Sequence, residues 1–259
     1  MQWVQEGDRW RWQDIPGVDA WFTTRHGGIG APPYDSLNLS FSVGDDPDTV
    51  KENRRLAVPQ GLSRLVMAQQ IHQDGVAWVD SSESGRGALD PTTSLQGLDG
   101  LLTRDVHLTL GMGFADCVPI FLADVFGRWV GILHAGWRGT VLGVQRRAVM
   151  EIVAAGYDLG DIRVGIGPSI GPCCYEVDRA VEEPVRKVLT TASTLGPGRD
   201  EAHWMLDLWS TNRLILESLG ILREHIAVLG LCTSCHHEFF SYRRDQTPTG
   251  RMGGFICRT

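Results

Sequence analysis

The chain of 259 residues has no basic block of five or more, and acidic residues outnumber basic ones 31 to 24, for a formal charge of −7. Nothing in it offers a positive face for phosphates, so nucleic acid is not an expected partner. No apolar run approaches the roughly 18 residues that a bilayer crossing needs, so no membrane segment is expected. The N-terminus, Met1-Gln2-Trp3-Val4-Gln5-Glu6, lacks a basic stretch followed by an apolar one, so no signal peptide is expected. Without an export signal, the six cysteines do not read as a disulfide framework. A reduced cytoplasm, with metal-bound or reactive thiols, is the expected setting. There is no internal repeat and no linker long enough to divide the chain, so residues 1–259 read as one domain. What is present is ordinary globular composition, 42% hydrophobic and 21% charged.

Taken in order, residues 1–24 have strand character that ends in Ala20-Trp21-Phe22-Thr23-Thr24. Arg25-His26-Gly27-Gly28-Ile29-Gly30-Ala31-Pro32-Pro33 must be loop, because its glycines and prolines forbid regular structure. Its backbone N–H groups and Arg25 suit an anion; a plain surface turn is the alternative reading. Residues 48–56 predict a short helix after Pro47, with Asp46 or Asp48 as N-cap. Arg54 and Arg55 either complement the helix dipole or form a guanidinium clamp for an anion. A turn at Gln73-Asp74-Gly75 makes residues 65–80 a predicted hairpin, and the Ser/Gly/Pro-rich stretch 81–97 a mobile loop. Strands follow at 99–103 and 108–110. Apolar residues at Val141, Val144, Ala148, Ile152 and Ala155 give the spacing of an amphipathic helix over 140–155, closed by Gly156. A strand at 162–166 leads into the Gly/Pro-rich loop 167–177. Helices are predicted at 178–192 and 206–220 around a Gly/Pro linker at 196–198, with strands at 226–230 and 253–256. Strands outnumber helices without regular βαβ alternation, so the expected class is α+β, mixed sheets flanked by helices.

The chemistry concentrates in residues 116–139. Asp116-Cys117-Val118-Pro119-Ile120 opens an apolar run, a turn breaks it at Phe126-Gly127-Arg128, and His134-Ala135-Gly136-Trp137-Arg138-Gly139 closes it. Two apolar runs bounded by turn residues read as paired strands. Antiparallel pairing would then bring Cys117, entering the hairpin, to His134, leaving it, 17 residues later. With His72 from Gln70-Ile71-His72 they would form a His₂Cys site, the three-ligand arrangement of a catalytic zinc. Two other readings stand beside it: a Cys117 nucleophile with His134 as base, and a buried cysteine near two ordinary core histidines. Asp116 is the nearest carboxylate for proton transfer. Cys232-Thr233-Ser234-Cys235-His236-His237 is a second metal-type cluster. A structural zinc normally takes two separated ligand pairs, whereas these four donors sit within six residues.

These stretches, together with Phe22-Thr23-Thr24-Arg25-His26-Gly27-Gly28, Glu52-Asn53-Arg54, Gly167-Pro168-Ser169-Ile170-Gly171-Pro172-Cys173-Cys174-Tyr175-Glu176-Val177 and Phe240-Ser241-Tyr242-Arg243-Arg244-Asp245, carry a resemblance. The sequence closely resembles the multicopper polyphenol oxidase (laccase-like) family, whose members are also described as purine nucleoside phosphorylases. The resemblance implies a zinc site on His72, Cys117 and His134. It also implies phosphorolysis of adenosine, inosine and methylthioadenosine, with adenosine deamination. Copper-dependent phenol oxidation is attached to the family too, although 8 histidines are few for several copper centres. Arg25, Arg54 and Arg244 are the candidates for placing phosphate, and Gln70 and Cys174 for touching the substrate. Gln73 departs from the Gly usual after the first ligand histidine, and Cys235 lies outside the pattern. The loop 167–177 is expected to wall the cleft. If it is extended there, Cys173 and Cys174 face opposite ways. The expected protein is a monomer or homodimer acting on small molecules. A cysteine hydrolase, or a metal-binding protein without turnover, is the rival class.

Overall fold

The computed structural model describes residues 1–190, 193–246 and 248–259. Strands β1 (Gln2–Glu6), β2 (Arg9–Gln13) and β3 (Val18–Thr23) form an antiparallel meander, followed by helix α1 (Pro47–Ala57). Next come β4 (Leu65–Gln69), β5 (Val76–Val79), β6 (Leu95–Gln96), β7 (Gly100–Thr103) and β8 (Thr109–Phe114). The central stretch gives β9 (Val118–Asp124), β10 (Val130–Ala135), α2 (Trp137–Leu142) and α3 (Val144–Ala154). After it come β11 (Ile162–Ile166), β12 (Glu176–Asp178), α4 (Arg179–Val188), β13 (Leu195–Pro197) and β14 (His203–Leu206). The chain finishes with α5 (Leu208–Ser218), β15 (Ile226–Val228), α6 (Tyr242–Asp245) and β16 (Met252–Arg258).

The strands form three sheets, ordered β1-β2-β3-β16-β8-β4-β6, β15-β11-β9-β10-β7-β5 and β12-β14-β13. Both large sheets mix parallel and antiparallel neighbours, so the α+β class with mixed sheets and flanking helices is what the structure has. The large sheets share one core, where Phe22 and Phe114 from one meet Phe121 and Ile132 from the other. Alternation along each strand divides its residues between two sides. On β9, Phe121 and Ala123 enter the shared core while Ile120 and Leu122 face helices α3 and α5. On β3, Phe22 enters the shared core while Trp21 stacks on Phe255 on the outer face beside α1, centroids 5.4 Å apart. Burial on both faces is why these strands read as continuous apolar runs rather than alternating ones. Each fully buried aromatic contributes about 1.5–3 kcal/mol.

Helix α1 begins as read: Asp46 caps it through Thr49 N at 2.8 Å, with Pro47 in the first turn. Several expectations are corrected. Residues 65–80 are not a hairpin, because β4 pairs with β8 and β6 in one sheet while β5 pairs with β7 in the other. Both strands are parallel insertions, so the turn between them carries the chain from sheet to sheet. Residues 81–97 are pinned rather than loose. Met67 N donates to Arg86 O at 2.9 Å, and Asp80 and Asp90 cap short 3₁₀ turns. The helix expected at 140–155 starts at Trp137 and breaks at Gly143, whose φ of +94° ends α2 and starts α3. Of the helix expected over 178–192, the structure gives Arg179–Val188, and 191 and 192 lie outside the described residues. The linker at 196–198 falls largely in β13, which pairs with β14, a strand that short polar-flanked residues concealed.

Candidate functional site

The chain crosses between the two large sheets at residues 115–117, and the cysteine sits at that crossing. β9 and β10 pair with Val118 opposite Ala135 and Pro119 opposite His134, so Cys117 meets the end of β10. His72 arrives from the other sheet, three residues past β4. One ligand atom from each of His72, Cys117 and His134 lies within 4.8 Å of the other two. The two imidazoles meet edge to face, centroids 4.8 Å apart.

A buried carboxylate assembles this trio. Asp99 Oδ1 accepts from His134 Nδ1 at 2.8 Å and from His72 N at 3.1 Å, while Oδ2 accepts from Ile71 N at 3.2 Å and Gln73 N at 2.8 Å. An acceptor-only carboxylate requires the proton on Nδ1, so Nε2 is the nitrogen of His134 that a metal would take in place of a proton. The same grip holds His72 at φ +60°. Asp116 stands at φ +85°, also left-handed. Such backbone costs about 1–3 kcal/mol per non-glycine residue and persists where surroundings enforce it. Gly136 completes the fit, since a Cβ there would lie 2.8 Å from Cys117 Sγ and 3.5 Å from His72 Cδ2.

Charge follows geometry. Burial opposes the Cys117 thiolate, but the His134 and His72 rings outweigh it and bring the thiol down to about 6. For His134, burial works against the charged ring, and the facing Cys117 and Asp99 outweigh it, raising the imidazole to about 9. Without metal, Cys117 and His134 thus form a thiolate–imidazolium pair; an ion that displaces the ring proton would meet one sulfur and two ring nitrogens, a soft donor set suited to zinc or copper. These residues could hold a single metal ion with an open position.

The trio lines a cavity of about 580 Å³, inside the roughly 300–1,000 Å³ range of small-molecule sites. Gln70 is on its wall, locked by Gly113, whose backbone donates to Oε1 at 2.9 Å and accepts from Nε2 at 2.8 Å. Asp116 is the only carboxylate among the described lining residues, and its oxygens accept from Thr233 Oγ1 at 2.6 Å and Arg243 N at 2.7 Å. Trp137, Tyr175 and Tyr242 supply aromatic surface.

The arginines on the wall are not the ones the sequence suggested. Arg25 donates to Asp35 O at 2.6 Å, pairs with its carboxylate and lies 4.4 Å over Phe240. Arg54 is buried and spends its guanidinium on the carbonyls of Leu39, Gly87 and Ala88, at 2.8, 2.6 and 2.8 Å. Arg244 donates to Phe239 O at 2.7 Å and Thr233 O at 3.0 Å and pairs with Asp245. None of the three faces the cavity; buried carbonyls and local carboxylates have taken their donors. Cys174 is also off the wall, its sulfur 3.4 Å from that of Cys235. Gln73 does not floor the cavity. The loop 167–177 does wall it, through Ile170 and Tyr175. Arg138, Arg243 and Arg251 line the site instead. Arg138 is exposed, 4.5 Å over Trp137, and forms no ion pair among the described residues. Arg243 lies 5.1 Å over Tyr175. The signal for Arg138 was its place four residues after His134, at the start of α2; adjacent Arg243 and Arg244 carried no such discriminator.

The chain resembles known proteins along nearly its whole length. A family model described as "Multi-copper polyphenol oxidoreductase laccase" matches residues 19–259. The chain is 43% identical over 255 residues to the purine nucleoside phosphorylase YlmD of Geobacillus stearothermophilus, covering 93% of this chain and 90% of that one. It is 35% identical over 253 residues to the adenosine deaminase RL5 of an unknown prokaryotic organism, covering 95% and 96%. The crystal structure of the Bacillus licheniformis hypothetical protein YfiH superposes with a TM-score of 0.95 at 36% identity, covering 99% of each chain.

Proposed function

This chain belongs to the multi-copper polyphenol oxidoreductase laccase family, and on that premise we propose that it is a zinc-dependent purine nucleoside phosphorylase that also deaminates adenosine. Adenosine, inosine and methylthioadenosine are the proposed nucleosides. The observation that carries the reading is the cavity wall: three arginines and one carboxylate beside a His₂Cys cluster. A net positive wall suits an anionic co-substrate, and guanidinium groups match phosphate geometry. The relatives named for phosphorolysis and deamination support the same two reactions.

His72, Cys117 and His134 would hold the zinc. When bound, it supplies a fixed positive charge that polarises a substrate atom or a water. In phosphorolysis a phosphate oxygen bonds to C1′ as the C1′–N9 bond breaks. The base departs with the electron pair and takes up a proton. Arg138, Arg243 and Arg251 hold the phosphate, while Trp137, Tyr175 and Tyr242 bind the purine face. In deamination, water adds at C6 and ammonia leaves. Asp116 exchanges the proton in both reactions. Two of its acceptor sites are taken by Thr233 and Arg243, which fixes its direction.

Purified protein should release hypoxanthine from inosine only when phosphate is present, with ribose 1-phosphate as the second product. Release at the same rate without phosphate would make it a hydrolase and overturn the assignment. One second reading has an observation behind it. Cys117, His134 and Asp99 are also ordered as nucleophile, base and orienting carboxylate. Metal analysis separates the two, since a thiolate bound to metal is not free to attack carbon.

A further inference from the structure

The CxxC near the C-terminus lacked a second ligand pair in sequence, and the fold supplies one. Cys232 and Cys235 lie on a turn that faces the turn carrying Cys173 and Cys174. One sulfur from each of these four residues lies within 4.8 Å of the other three. Cys173 Sγ and Cys174 Sγ are each 3.4 Å from Cys235 Sγ, across 62 and 61 residues of chain. His236 and His237 stay outside the cluster, with His236 turned toward Glu238 at 3.7 Å. The expectation that Cys173 and Cys174 face apart fails because the backbone there is a turn. Cys174 N and Tyr175 N both donate to Gly171 O at 3.0 Å, which swings the two side chains to one side.

We propose that Cys173, Cys174, Cys232 and Cys235 form a second, structural zinc site, separate from the His72–Cys117–His134 trio. The spacing favours a metal over disulfides. A disulfide needs sulfurs about 2.05 Å apart, whereas zinc–sulfur bonds of about 2.3 Å in a tetrahedron put sulfurs about 3.8 Å apart. The four sulfurs converge on one point rather than pairing off. Four thiolates with no other donor make a closed coordination shell, the structural kind, with no place for substrate. Gly171 N donates to Cys232 Sγ at 3.2 Å. Such N–H to sulfur bonds are the outer-shell support that metal thiolates take from protein backbone.

The place of the site gives it a purpose. The turn at Cys173-Cys174 is followed at once by Tyr175, and the turn at 232–235 contains Thr233, which holds Asp116. A zinc there ties the two segments that form one wall of the cavity. Without the metal, the two segments are held by single hydrogen bonds: Gly171 N to Cys232 Sγ at 3.2 Å, Ser169 N to Leu231 O at 3.2 Å and Thr233 N to Ser169 O at 3.0 Å, while Arg243 Nη1 donates to Cys174 O at 3.2 Å and Glu176 O at 2.9 Å. Between them the metal is the strong bond, because these turns contribute no strand pairing of length, only a single bridge from Ser169 to Cys232.

The test counts metal by mass spectrometry in full-length protein purified under reducing conditions. Wild type should carry about two zinc ions per chain, one for each site. The Cys117→Ala/His134→Ala variant should keep one, and Cys173→Ser/Cys235→Ser should lose one. If the first site holds no metal, wild type carries one zinc that only the second variant loses, so the two assignments fail separately. Should Cys173→Ser/Cys235→Ser not fold, the Cys117→Ala/His134→Ala protein is reconstituted with cobalt. Its sulfur-to-cobalt charge-transfer bands should then have the intensity of four thiolates. Zinc retained in full by Cys173→Ser/Cys235→Ser overturns the proposal. So does a metal-free Cys117→Ala/His134→Ala protein whose intact mass shows these cysteines oxidised to disulfides.

Discussion

Replacing Asp99 by asparagine keeps the shape of the side chain and removes its logic. Asp99 is fully buried, and each of its oxygens accepts two N–H groups. An amide has one oxygen, so whichever position becomes NH₂ faces two donors with a third. If it replaces Oδ2, Ile71 N and Gln73 N lose their acceptor and the turn carrying His72 is released. If it replaces Oδ1, His72 N loses its acceptor and His134 must shift its proton to Nε2, the nitrogen meant for metal. A buried donor left unpaired costs about 1–3 kcal/mol, so two give about 2–6 kcal/mol of lost stability. Loss of such a second-layer partner weakens metal binding by about tenfold to a hundredfold, roughly 1.4–2.8 kcal/mol. Competition against a chromophoric chelator reads the affinity, and thermal unfolding with and without chelator reads the stability. An Asp99→Asn protein with wild-type metal affinity would refute the assembly of the trio by this carboxylate. Wild-type affinity combined with a lowered Tm would leave Asp99 as a clamp on the fold alone.

Arg138→Ala should raise the KM for phosphate tenfold or more, since a hydrogen bond to a charged group contributes about 1.5–3 kcal/mol, and should spare adenosine deamination; equal loss in both reactions would remove Arg138 from the anion site. Arg54→Met should instead act on stability, stripping three buried carbonyls of their donor for on the order of 3 kcal/mol and a Tm drop of roughly 6–12 °C; a raised phosphate KM with unchanged Tm would restore Arg54 to the site. Gly136→Ala should weaken metal binding, because the new Cβ lies 2.8 Å from Cys117 Sγ, and a variant with intact metal content would refute that close fit. In chelator-stripped protein, neighbouring imidazoles stabilise the thiolate, so Cys117 should alkylate with a midpoint at about 6 and His134→Ala should move that midpoint upward; a midpoint at the ordinary thiol value in both proteins would contradict the coupling.

The ligand trio was legible because strand pairing is a local rule. The apolar runs around Phe126-Gly127-Arg128 are a hairpin, and its register puts Cys117 against the end of β10. His72 entered as the remaining upstream ligand type, in Gln70-Ile71-His72. What the sequence hid was the tertiary use of polar groups. Asp99 carries no motif, yet it is the hub of the site, because its four donors come from residues 71–73 and 134. The arginines named from sequence lie off the cavity wall for the same reason. A guanidinium at a helix end reads as available until the fold shows Leu39, Gly87 and Ala88 taking its protons. At 65–80 the turn joins two short apolar strands that belong to different sheets, which a local turn signal does not reveal. The four-cysteine cluster was half visible, since CxxC is a local signal while its facing pair lies 62 residues away.

The crossing at residues 115–117 sets one more property of the molecule. His72 hangs from the seven-stranded sheet, His134 stands in the six-stranded one, and Cys117 lies on the bridge between them. An ion bonded to all three is a rivet through both layers. Water reaches the aromatic core only when the sheets slide or part, and that movement would have to break coordination bonds before it broke packing. With the proposed ion bound, the lifetime of the folded chain, rather than its equilibrium stability alone, would depend on the metal. Slow release of the ion would set the clock for unfolding, so that the same atoms proposed to run the chemistry also decide how long the protein endures.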